Sequence, residues 1–348
     1  MKKNWEINVL LKIAIVGATG LVGRTMLKVL EEKDLPEHEL ILLASPRSAG
    51  KRLSYKNSEI TISELKDSSF EGVDIALFSA GGDISMNYVP IAQKAGCLTI
   101  DNSSAWRMHP DVPLSIPEVN PESMQKHCGI ISNPNCSTIQ LLVAIKPILD
   151  KYGIERLVCS TYQSISGAGQ SGISKLNEEL GGKRPENNEK SIAYNTLFHP
   201  FEENNFTNEE NKMFDETRKI LSIPDLRLAF TCVRLPILGG HAESVNLELS
   251  SDYDLKELRS CLKSSDGINL VDVDSEEGYP TPAFAYKKDE VFIGRLRRDT
   301  STENGLYMWI VSDNLRKGAA TNAVQIAEYM IKNNLLKFDL STWENLTP

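Results

Sequence analysis

The apolar positions in the first third of the chain fall in short continuous runs, each of which ends in small or polar residues. These runs occupy 11–16 (LKIAIV), 40–44 (LILLA), 74–79 (DIALFS), 97–101 (CLTID) and 130–132 (IIS). Apolar runs without alternation are typical of strands that a parallel sheet buries on both faces. The pattern therefore predicts an open parallel sheet, and we expect the carboxyl ends of its strands to form a ligand crevice.

The second half of the chain has a different pattern. Runs with β-branched and aromatic residues predict strands at 156–163, 228–235, 243–250, 291–296 and 306–312. The strands at 228–235 and 243–250 are expected to run antiparallel, joined by the turn at 236–242. Residues 181–212 are polar and rich in Asn and Glu, so we expect a long surface excursion there. A final helix is predicted at 316–331, with an apolar face of Ala319, Ala323, Ile326, Ala327 and Met330.

These elements predict two domains within the 348 residues. The first, 1–135 plus 316–348, is expected to be a Rossmann-type dinucleotide-binding domain of the α/β class. The second, 136–315, is expected to be an α+β domain with a mostly antiparallel sheet.

Charge and composition narrow the class of protein. The net charge of −9 argues against a general nucleic-acid or membrane surface, and no stretch approaches the length of a membrane span. The six cysteines show no CxxC pair, which argues against a zinc cluster or disulfide framework and fits a reducing compartment. Residues 1–11 carry no long apolar run and no cleavage signature. We therefore expect a cytoplasmic enzyme without a metal.

The run at 11–16 leads directly into a glycine loop. The loop reads Gly17-Ala18-Thr19-Gly20-Leu21-Val22-Gly23, and residues 25–30 continue as a helix. Strand, glycine loop and helix in this order let backbone N–H groups approach a phosphate at a helix N-terminus. A glycine turn that binds no ligand is the alternative on this motif alone.

The residues after the second strand favour one dinucleotide over the other. NAD-binding versions of this unit place a carboxylate there for the ribose 2′-hydroxyl, but this chain has Arg47 and Ser48. Both side chains suit a 2′-phosphate, so the sequence favours NADP. The alternative is that Arg47 is a solvated loop charge.

A polar turn precedes an apolar helical pattern near the middle of the chain. The turn reads Asn133-Pro134-Asn135-Cys136-Ser137-Thr138. Ser137 or Thr138 is expected to cap the helix, which places Cys136 at the positive end of the helix dipole. That position lowers the pKa of a thiol and favours the nucleophilic thiolate. The alternative is one more buried cysteine.

Seven segments together resemble the aspartate-semialdehyde dehydrogenase family over nearly the whole chain. They are GATGLVG, SPRSAGK, NPNCST, STYQSISGAG, CVRLP, GGHAES and SDNLRKGAA. NPNCST combined with CVRLP and a histidine shortly after it is the specific part of the resemblance. The family reduces L-aspartyl-4-phosphate with NADPH to L-aspartate-4-semialdehyde and phosphate. This is the branch-point step toward lysine, methionine, threonine and isoleucine.

The resemblance also implies a role for each matching position. Cys136 is the implied nucleophile that forms a thioacyl intermediate, His241 the acid/base, and Gln163 the residue that orients the acyl group. The implied substrate contacts are Arg234 for the α-carboxylate, Glu209 for the α-ammonium, and Arg107, Lys212 and Asn135 at the phosphate. The implied cofactor positions are Gly17, Thr19, Gly20, Leu21, Val22, Arg47, Ser48, Ser166, Gly167 and Asn314. The second domain is implied to form a homodimer.

Four further histidines serve as a comparison for His241. They lie in polar contexts and are expected at the surface: His38, His109, His127 and His199. His241 follows two glycines between two strands, so without the family it is equally a satisfied structural histidine. Arg234 lies in an apolar strand, where a structural ion pair is the alternative.

Two other functions remain open on the residues themselves. One is a related acyl-phosphate reductase, acting on N-acetyl-glutamyl phosphate or in glyceraldehyde 3-phosphate chemistry. An acetylated amine needs no counterpart of Glu209. The other is an inactive dinucleotide-binding sensor, which needs no Cys136 paired with His241. One segment, 181–206, is shorter and richer in Asn than the family pattern.

Overall fold

The computed structural model describes residues 10–185, 189–272 and 275–339, which divide into two compact units. The first unit comprises the described parts of Met1–Pro134 and Ala319–Pro348, and the second those of Asn135–Gly318. The predicted domain boundaries, after 135 and before 316, lie close to this division. The predicted first domain also includes 1–9 and 340–348, which lie outside the described residues.

Thirteen strands and eight helices are assigned in the described residues. The strands are β1 (Leu11–Val16), β2 (His38–Ala44), β3 (Arg52–Tyr55), β4 (Ser58–Glu64), β5 (Ile75–Phe78), β6 (Leu98–Asp101), β7 (Ile130–Ser132), β8 (Ile154–Gln163), β9 (Arg227–Arg234), β10 (His241–Leu249), β11 (Ile268–Leu270), β12 (Val291–Asp299) and β13 (Gly305–Ser312). The helices are α1 (Leu21–Glu32), α2 (Gly82–Lys94), α3 (Cys136–Tyr152), α4 (Gly169–Leu180), α5 (Asn208–Leu221), α6 (Leu255–Lys263), α7 (Pro282–Ala285) and α8 (Thr321–Lys332).

The first unit is built on a seven-stranded sheet with the order β3-β4-β2-β1-β5-β6-β7. Every pairing described in this sheet is parallel except that of β3 with β4. Strand β1 lies between β2 and β5, so the order of the strands reverses there. In open parallel sheets, ligands bind at the carboxyl ends of the strands beside such a reversal. The glycine loop follows β1 and therefore stands at this point.

Apolar side chains cover both faces of this parallel sheet, as the unbroken apolar runs predict. On one face, Ile13 and Ile15 of β1 pack with α1 and α8. On the other face, Ala14 and Val16 pack with Phe70, Phe78 and Trp106. The predicted apolar face of the last helix is confirmed, because all five of its residues are buried. The predicted span is divided, however, into a π-helical turn at Arg316–Ala320 and α8.

The second unit has a mixed six-stranded sheet with the order β11-β12-β13-β10-β8-β9. Three of the described pairings are antiparallel, and β8 with β9 and β11 with β12 are parallel. The predicted strands β9 and β10 do run antiparallel, but they are not neighbours because β8 lies between them. Helix α3 packs on the face of this sheet formed by β8, β10 and β13.

The segment 181–212 is only partly the irregular excursion that its composition predicts. Helix α5 already begins at Asn208. Thr207 Oγ1 accepts from Glu210 N at 3.2 Å, while Glu210 Oε2 accepts from Thr207 N at 2.8 Å. This reciprocal capping box starts the helix in a very polar stretch. Residues 186–188 of the segment lie outside the described residues. No helix within the described ranges is both long and apolar enough to span a membrane.

Candidate active site

The glycine loop of the first unit brings the backbone closer than a side chain would permit. Gly17 has φ +84°, and a Cβ there would lie 2.4 Å from Ser79 O. A Cβ on Gly23 would lie 2.3 Å from Gly17 O. Helix α1 begins just after Gly20, with no side-chain cap and no acidic residue in its first turn. Its N-terminal N–H groups and its dipole therefore suit an anionic phosphate.

Arg47 and Ser48 lie in a short 3-10 turn that follows β2. Ser48 is buried, whereas Arg47 is exposed. Within the described chain, Arg47 makes no hydrogen bond or ion pair, and no carboxylate follows Ala44 at the end of β2. A guanidinium without an internal partner remains available to a ligand phosphate.

Arg107 also belongs to the first unit, where it is buried and tied to carbonyl groups. Its Nε donates to Asn133 O at 2.9 Å, and its Nη2 donates to Asn102 O at 2.9 Å. Asn133 Nδ2 in turn donates to Asn102 Oδ1 at 2.7 Å. These bonds fix the guanidinium beside Asn102 and Asn133. Its implied contact with phosphate stays a prediction.

Cys136 is the first residue of α3, at the helix N-terminus that the sequence predicts for it. The prediction that Ser137 or Thr138 caps this helix is wrong. Asn135 is the cap, because its extended backbone lets Oδ1 accept from Ser137 N at 2.9 Å and from Thr138 N at 3.4 Å. Ser137 and Thr138 are already helical, so their N–H groups are the ones that need an acceptor.

Two buried carboxylates of α5 hold this cap. Glu216 Oε2 accepts from Asn135 N at 2.6 Å, and Glu209 Oε1 accepts from Asn135 Nδ2 at 2.7 Å. Burial by itself raises the pKa of Glu209, but Lys212 and Asn135 outweigh it and hold the pKa at about 2. Lys212 Nζ lies 3.2 Å from Glu209 Oε2. Glu209 is therefore ionised, and the turn before Cys136 is fixed at two atoms.

Gln163, at the end of β8, joins the same network. Its Nε2 donates to Ser137 Oγ at 3.0 Å and to Glu209 Oε1 at 3.3 Å. Its Oε1 is buried and has no hydrogen-bond partner among the described residues. Gln163 is thus linked to both α3 and α5. The structure brings together Asn135, Gln163, Glu209 and Lys212, for which the family resemblance implies one site.

His241 is fully buried at the start of β10. Its Nδ1 accepts from Ser164 N at 3.0 Å, because a backbone N–H can only donate. The neutral ring therefore carries its proton on Nε2, and this buried atom has no partner in the described chain. Burial, the largest cause, and the Arg234 guanidinium both lower the pKa of His241, which falls to about 3. The ring is a neutral hydrogen-bond donor in the free protein.

Asn314 connects the turns on either side of His241. Its Oδ1 accepts from Ser164 Oγ at 3.0 Å, from Ser166 Oγ at 3.2 Å and from Gly240 N at 3.1 Å. A Cβ on Gly167 would lie 2.6 Å from Arg234 Nη1 and 3.5 Å from His241 Cε1. Gly167 therefore lies against both Arg234 and His241, and Asn314 joins Ser164 and Ser166 to Gly240, the residue before His241. Their implied contact with the cofactor stays a prediction.

Arg234 ends β9 with its side chain partly buried. Its Nη1 donates to Ser164 O at 2.7 Å, and its Nη2 lies 3.3 Å from His199 Nε2. The predicted surface location is wrong for His127, which is buried against Phe338. His199 is partly exposed, but it contacts the Arg234 guanidinium. A polar local sequence does not reveal such contacts with distant elements.

Three residues of this site are absent from the sequence predictions: Glu216, Ser164 and Gly318. Gly318 lies in the π-helical turn, and a Cβ there would lie 2.8 Å from Cys136 Cβ. Gly318 lies in the SDNLRKGAA segment, but only its packing reveals that it contacts Cys136. No group of three or more His, Cys, Asp or Glu side chains in the described residues is arranged to hold a metal.

The first unit has a parallel sheet and a glycine loop suited to a phosphate. The second unit has a cysteine at the start of a helix and a buried histidine. Together these features define a two-domain dehydrogenase. Two family descriptions agree with this class. The description "Semialdehyde dehydrogenase, NAD binding domain" matches residues 12–127, and "Semialdehyde dehydrogenase, dimerisation domain" matches residues 145–317. The predicted fold class is thereby confirmed.

Individual relatives narrow the class further. The chain is 52% identical to aspartate-semialdehyde dehydrogenase of Aquifex aeolicus, over 93% of this chain and 99% of that protein. The crystal structure of aspartate semialdehyde dehydrogenase II from Vibrio cholerae, complexed with ASA, has a TM-score of 0.88 at 44% identity and covers 94% of this chain and 99% of its own. The Candida albicans enzyme, solved with NADP, has a TM-score of 0.73 at 25% identity and covers 94% and 100%. The chain belongs to the aspartate-semialdehyde dehydrogenase family of oxidoreductases.

Proposed function

We propose that the protein reduces L-aspartyl-4-phosphate to L-aspartate-4-semialdehyde with NADPH, releasing phosphate. Membership of the family supports the reaction and its place in amino-acid biosynthesis, leading toward lysine, methionine, threonine and isoleucine. The observation that carries the proposal is the position of Cys136, the first residue of α3, behind a cap that two carboxylates of α5 hold. A cytoplasmic enzyme remains our expectation.

Cys136 acts as the nucleophile in this proposal. Its thiolate attacks the acyl carbon of the acyl phosphate, the C–O bond to phosphate breaks, and a thioester forms on Cys136. The N-terminus of α3 favours both the thiolate and negative charge that develops on the acyl oxygen. NADPH, when bound, supplies the hydride that reduces the thioester, and the resulting thiohemiacetal releases the aldehyde and the thiolate.

His241 and Gln163 serve the reacting oxygen. The neutral His241 ring has its proton on Nε2, so it begins as a hydrogen-bond donor toward an oxyanion. Because Arg234 lowers the pKa of His241, a substrate carboxylate on Arg234 raises that pKa and moves the ring toward acid/base behaviour. Gln163 is tied to Ser137 and Glu209, which fixes its amide beside the cysteine turn.

Arg234 and Glu209 match the two charges of an α-amino acid. We assign the α-carboxylate to Arg234 and the α-ammonium to the ionised Glu209. Each group influences the pKa of His241, so both act at the same place. Lys212, Arg107 and Asn135 are assigned to the phosphate group. An N-acetylated substrate has no ammonium group for Glu209 to bind. A reductase of N-acetyl-glutamyl phosphate is therefore the less suitable interpretation.

The first unit fits NADP. The close approach at Gly17 and the start of α1 suit a pyrophosphate. Gly17, Thr19, Gly20, Leu21 and Val22 are the residues assigned to it. Arg47 and Ser48 are assigned to the 2′-phosphate, because no carboxylate follows β2 to repel it. The Candida albicans relative, solved with NADP, supports this choice.

We also propose a homodimer formed by the second unit, as its match to a dimerisation domain suggests. Helix α3 covers one face of the six-stranded sheet. The other face carries partly exposed Tyr162, Tyr307 and Trp309, and a cavity of about 440 Å³ opens beside Trp309 and Arg297. A face with aromatic and arginine side chains is suited to a protein interface.

The test is an assay of NADP reduction by aspartate semialdehyde, with and without phosphate. N-acetyl-glutamate semialdehyde, glyceraldehyde 3-phosphate and NAD serve as comparison substrates. We expect phosphate-dependent reduction of NADP with aspartate semialdehyde alone among the aldehydes. Activity confined to one of the other aldehydes would reassign the substrate. Binding of NADPH without any activity would support the sensor instead.

A further inference from the structure

The segment before α5 is bonded directly to the residue assigned to the substrate carboxylate. Leu197 N donates to Arg234 O at 3.0 Å, and Arg234 N donates to Leu197 O at 2.8 Å. Ile192 and Leu197 pack beside Ile165. These contacts fix the backbone next to Arg234 and place His199 Nε2 at 3.3 Å from Arg234 Nη2. The contact between His199 and Arg234 is therefore held in place by backbone hydrogen bonds and apolar packing.

The chemistry of the two side chains fixes which atom donates. A guanidinium has only donors, so His199 Nε2 must accept and the ring proton must be on Nδ1. The groups that influence the ring are Arg234 of β9 and Glu209, Glu210 and Lys212 of α5. Burial lowers the pKa of His199, and Arg234 lowers it further. His199 is thus neutral and able to accept near pH 7.

Two partners hold the Arg234 guanidinium and leave some of its N–H groups available to a ligand. Ser164 O takes a hydrogen from Nη1, and His199 Nε2 takes one from Nη2. These are the hydrogen bonds of the Arg234 side chain within the described residues. Each Nη carries a second hydrogen, and such a pair can bind the two oxygens of a carboxylate through parallel bonds.

We propose that His199 is a positioning residue, which accepts a hydrogen bond from Arg234 and orients its guanidinium toward the α-carboxylate of the substrate. The inference rests on the proposed function for the identity of that carboxylate. The pairing of His199 with Arg234 rests on the geometry alone. His199 takes part in recognition through Arg234 and does not react.

The kinetic test separates recognition of the carboxylate from turnover. His199→Ala should raise KM for aspartate semialdehyde about three- to tenfold, the effect of losing one hydrogen bond to a charged group that is half-exposed. Both kcat and KM for phosphate should change little. His199→Gln keeps an acceptor, so it should recover most of the lost affinity. Phe198→Ala, at a neighbouring exposed side chain, controls for disturbance of the segment.

A spectroscopic test examines the pairing of His199 with Arg234 without measuring enzyme activity. In protein with 15N-labelled histidine, the signal of His199 is identified as the one that is absent from His199→Gln. This signal should be that of a neutral ring with its proton on Nδ1. Its pKa should lie below the ordinary value and rise in Arg234→Gln. A proton on Nε2, or a pKa that Arg234→Gln leaves unchanged, would overturn the inference, as would an unchanged KM in His199→Ala. A wild-type protein inactive with aspartate semialdehyde would contradict the proposed function, while these spectra would still decide the pairing.

Discussion

The glycine loop and the cysteine turn both stand at the start of a helix, but they are built from different groups. Helix α1 begins after Gly20 with no side-chain cap, so no side chain accepts from its first backbone N–H groups. Helix α3 begins after Asn135, whose side chain caps it and is itself bonded to Glu209. A bare N-terminus suits an exchangeable anion, whereas a capped and buttressed one suits a reactive atom that must stay in place.

The difference also predicts how each region responds to mutation. The glycine loop depends on the absence of side chains at Gly17 and Gly23. The cysteine turn depends on the presence of charged and polar side chains from α5 and β8. Substitutions in one region should therefore change dinucleotide binding, and those in the other should change chemistry or substrate binding.

We expect Cys136→Ala to separate the roles of the two regions most clearly. Loss of the nucleophile should lower kcat by on the order of 10⁴-fold or more, because no other group in the reaction can form the thioester. NADPH binding, measured by fluorescence titration, should be unchanged. Substantial phosphate-dependent activity in this variant would remove Cys136 from the mechanism.

Gly318→Ala should have the next largest effect, because the new methyl group would lie 2.8 Å from Cys136 Cβ. Displacing the nucleophile by a fraction of an ångström to one ångström should lower kcat by roughly 10²-fold. Gly181→Ala is the control, since a Cβ there would meet only two carbonyl oxygens at 3.3 and 3.4 Å. Equal kcat values for the two variants would show that the π-helical turn does not position Cys136.

Arg234→Lys should weaken substrate binding more than turnover. An ammonium cannot replace the parallel bonds of a guanidinium, and we expect KM for aspartate semialdehyde to rise about 10- to 100-fold. Arg107→Lys is the matched comparison and should alter only the phosphate titration, since lysine still binds a phosphate. If Arg234→Lys changed the phosphate titration alone, the two arginine roles would be exchanged.

Arg47→Ala should have the smallest effect, and that effect should be limited to dinucleotide binding by the first unit. Loss of one exposed contact with the 2′-phosphate should raise KM for NADP about tenfold and leave KM for NAD nearly unchanged. Steady-state titrations with both cofactors measure this. An equal change for both would mean that Arg47 does not contact the 2′-phosphate.

Local patterns were sufficient to predict much of the fold. The apolar runs predict the strands of the parallel sheet because burial on both faces leaves a continuous signature. The insertion of β8 between β9 and β10 was not predicted, since strand order depends on contacts distant in sequence. Helix α5 was also missed, although the Thr207–Glu210 capping box marks its start, because the polar composition obscured its periodicity.

The same distinction applies to the site. The place of Cys136 at a helix start follows from residues beside it in the chain. The roles of Gln163, Arg234 and His241 came from the family resemblance, and their spacing alone left structural alternatives open. Glu216, Ser164 and His199 contact residues from other elements, and no local pattern records such contacts.

The most direct test of the proposed mechanism is to trap the acyl group on Cys136. Enzyme, aspartate semialdehyde and NADP are mixed without phosphate, quenched in acid within one turnover, digested and analysed by peptide mass spectrometry. We expect one NADPH formed per site and an aspartyl group on the peptide that contains Cys136, and added phosphate should remove this group. An aspartyl group on a peptide with another cysteine, or NADPH formed without any adduct on Cys136, would contradict this mechanism.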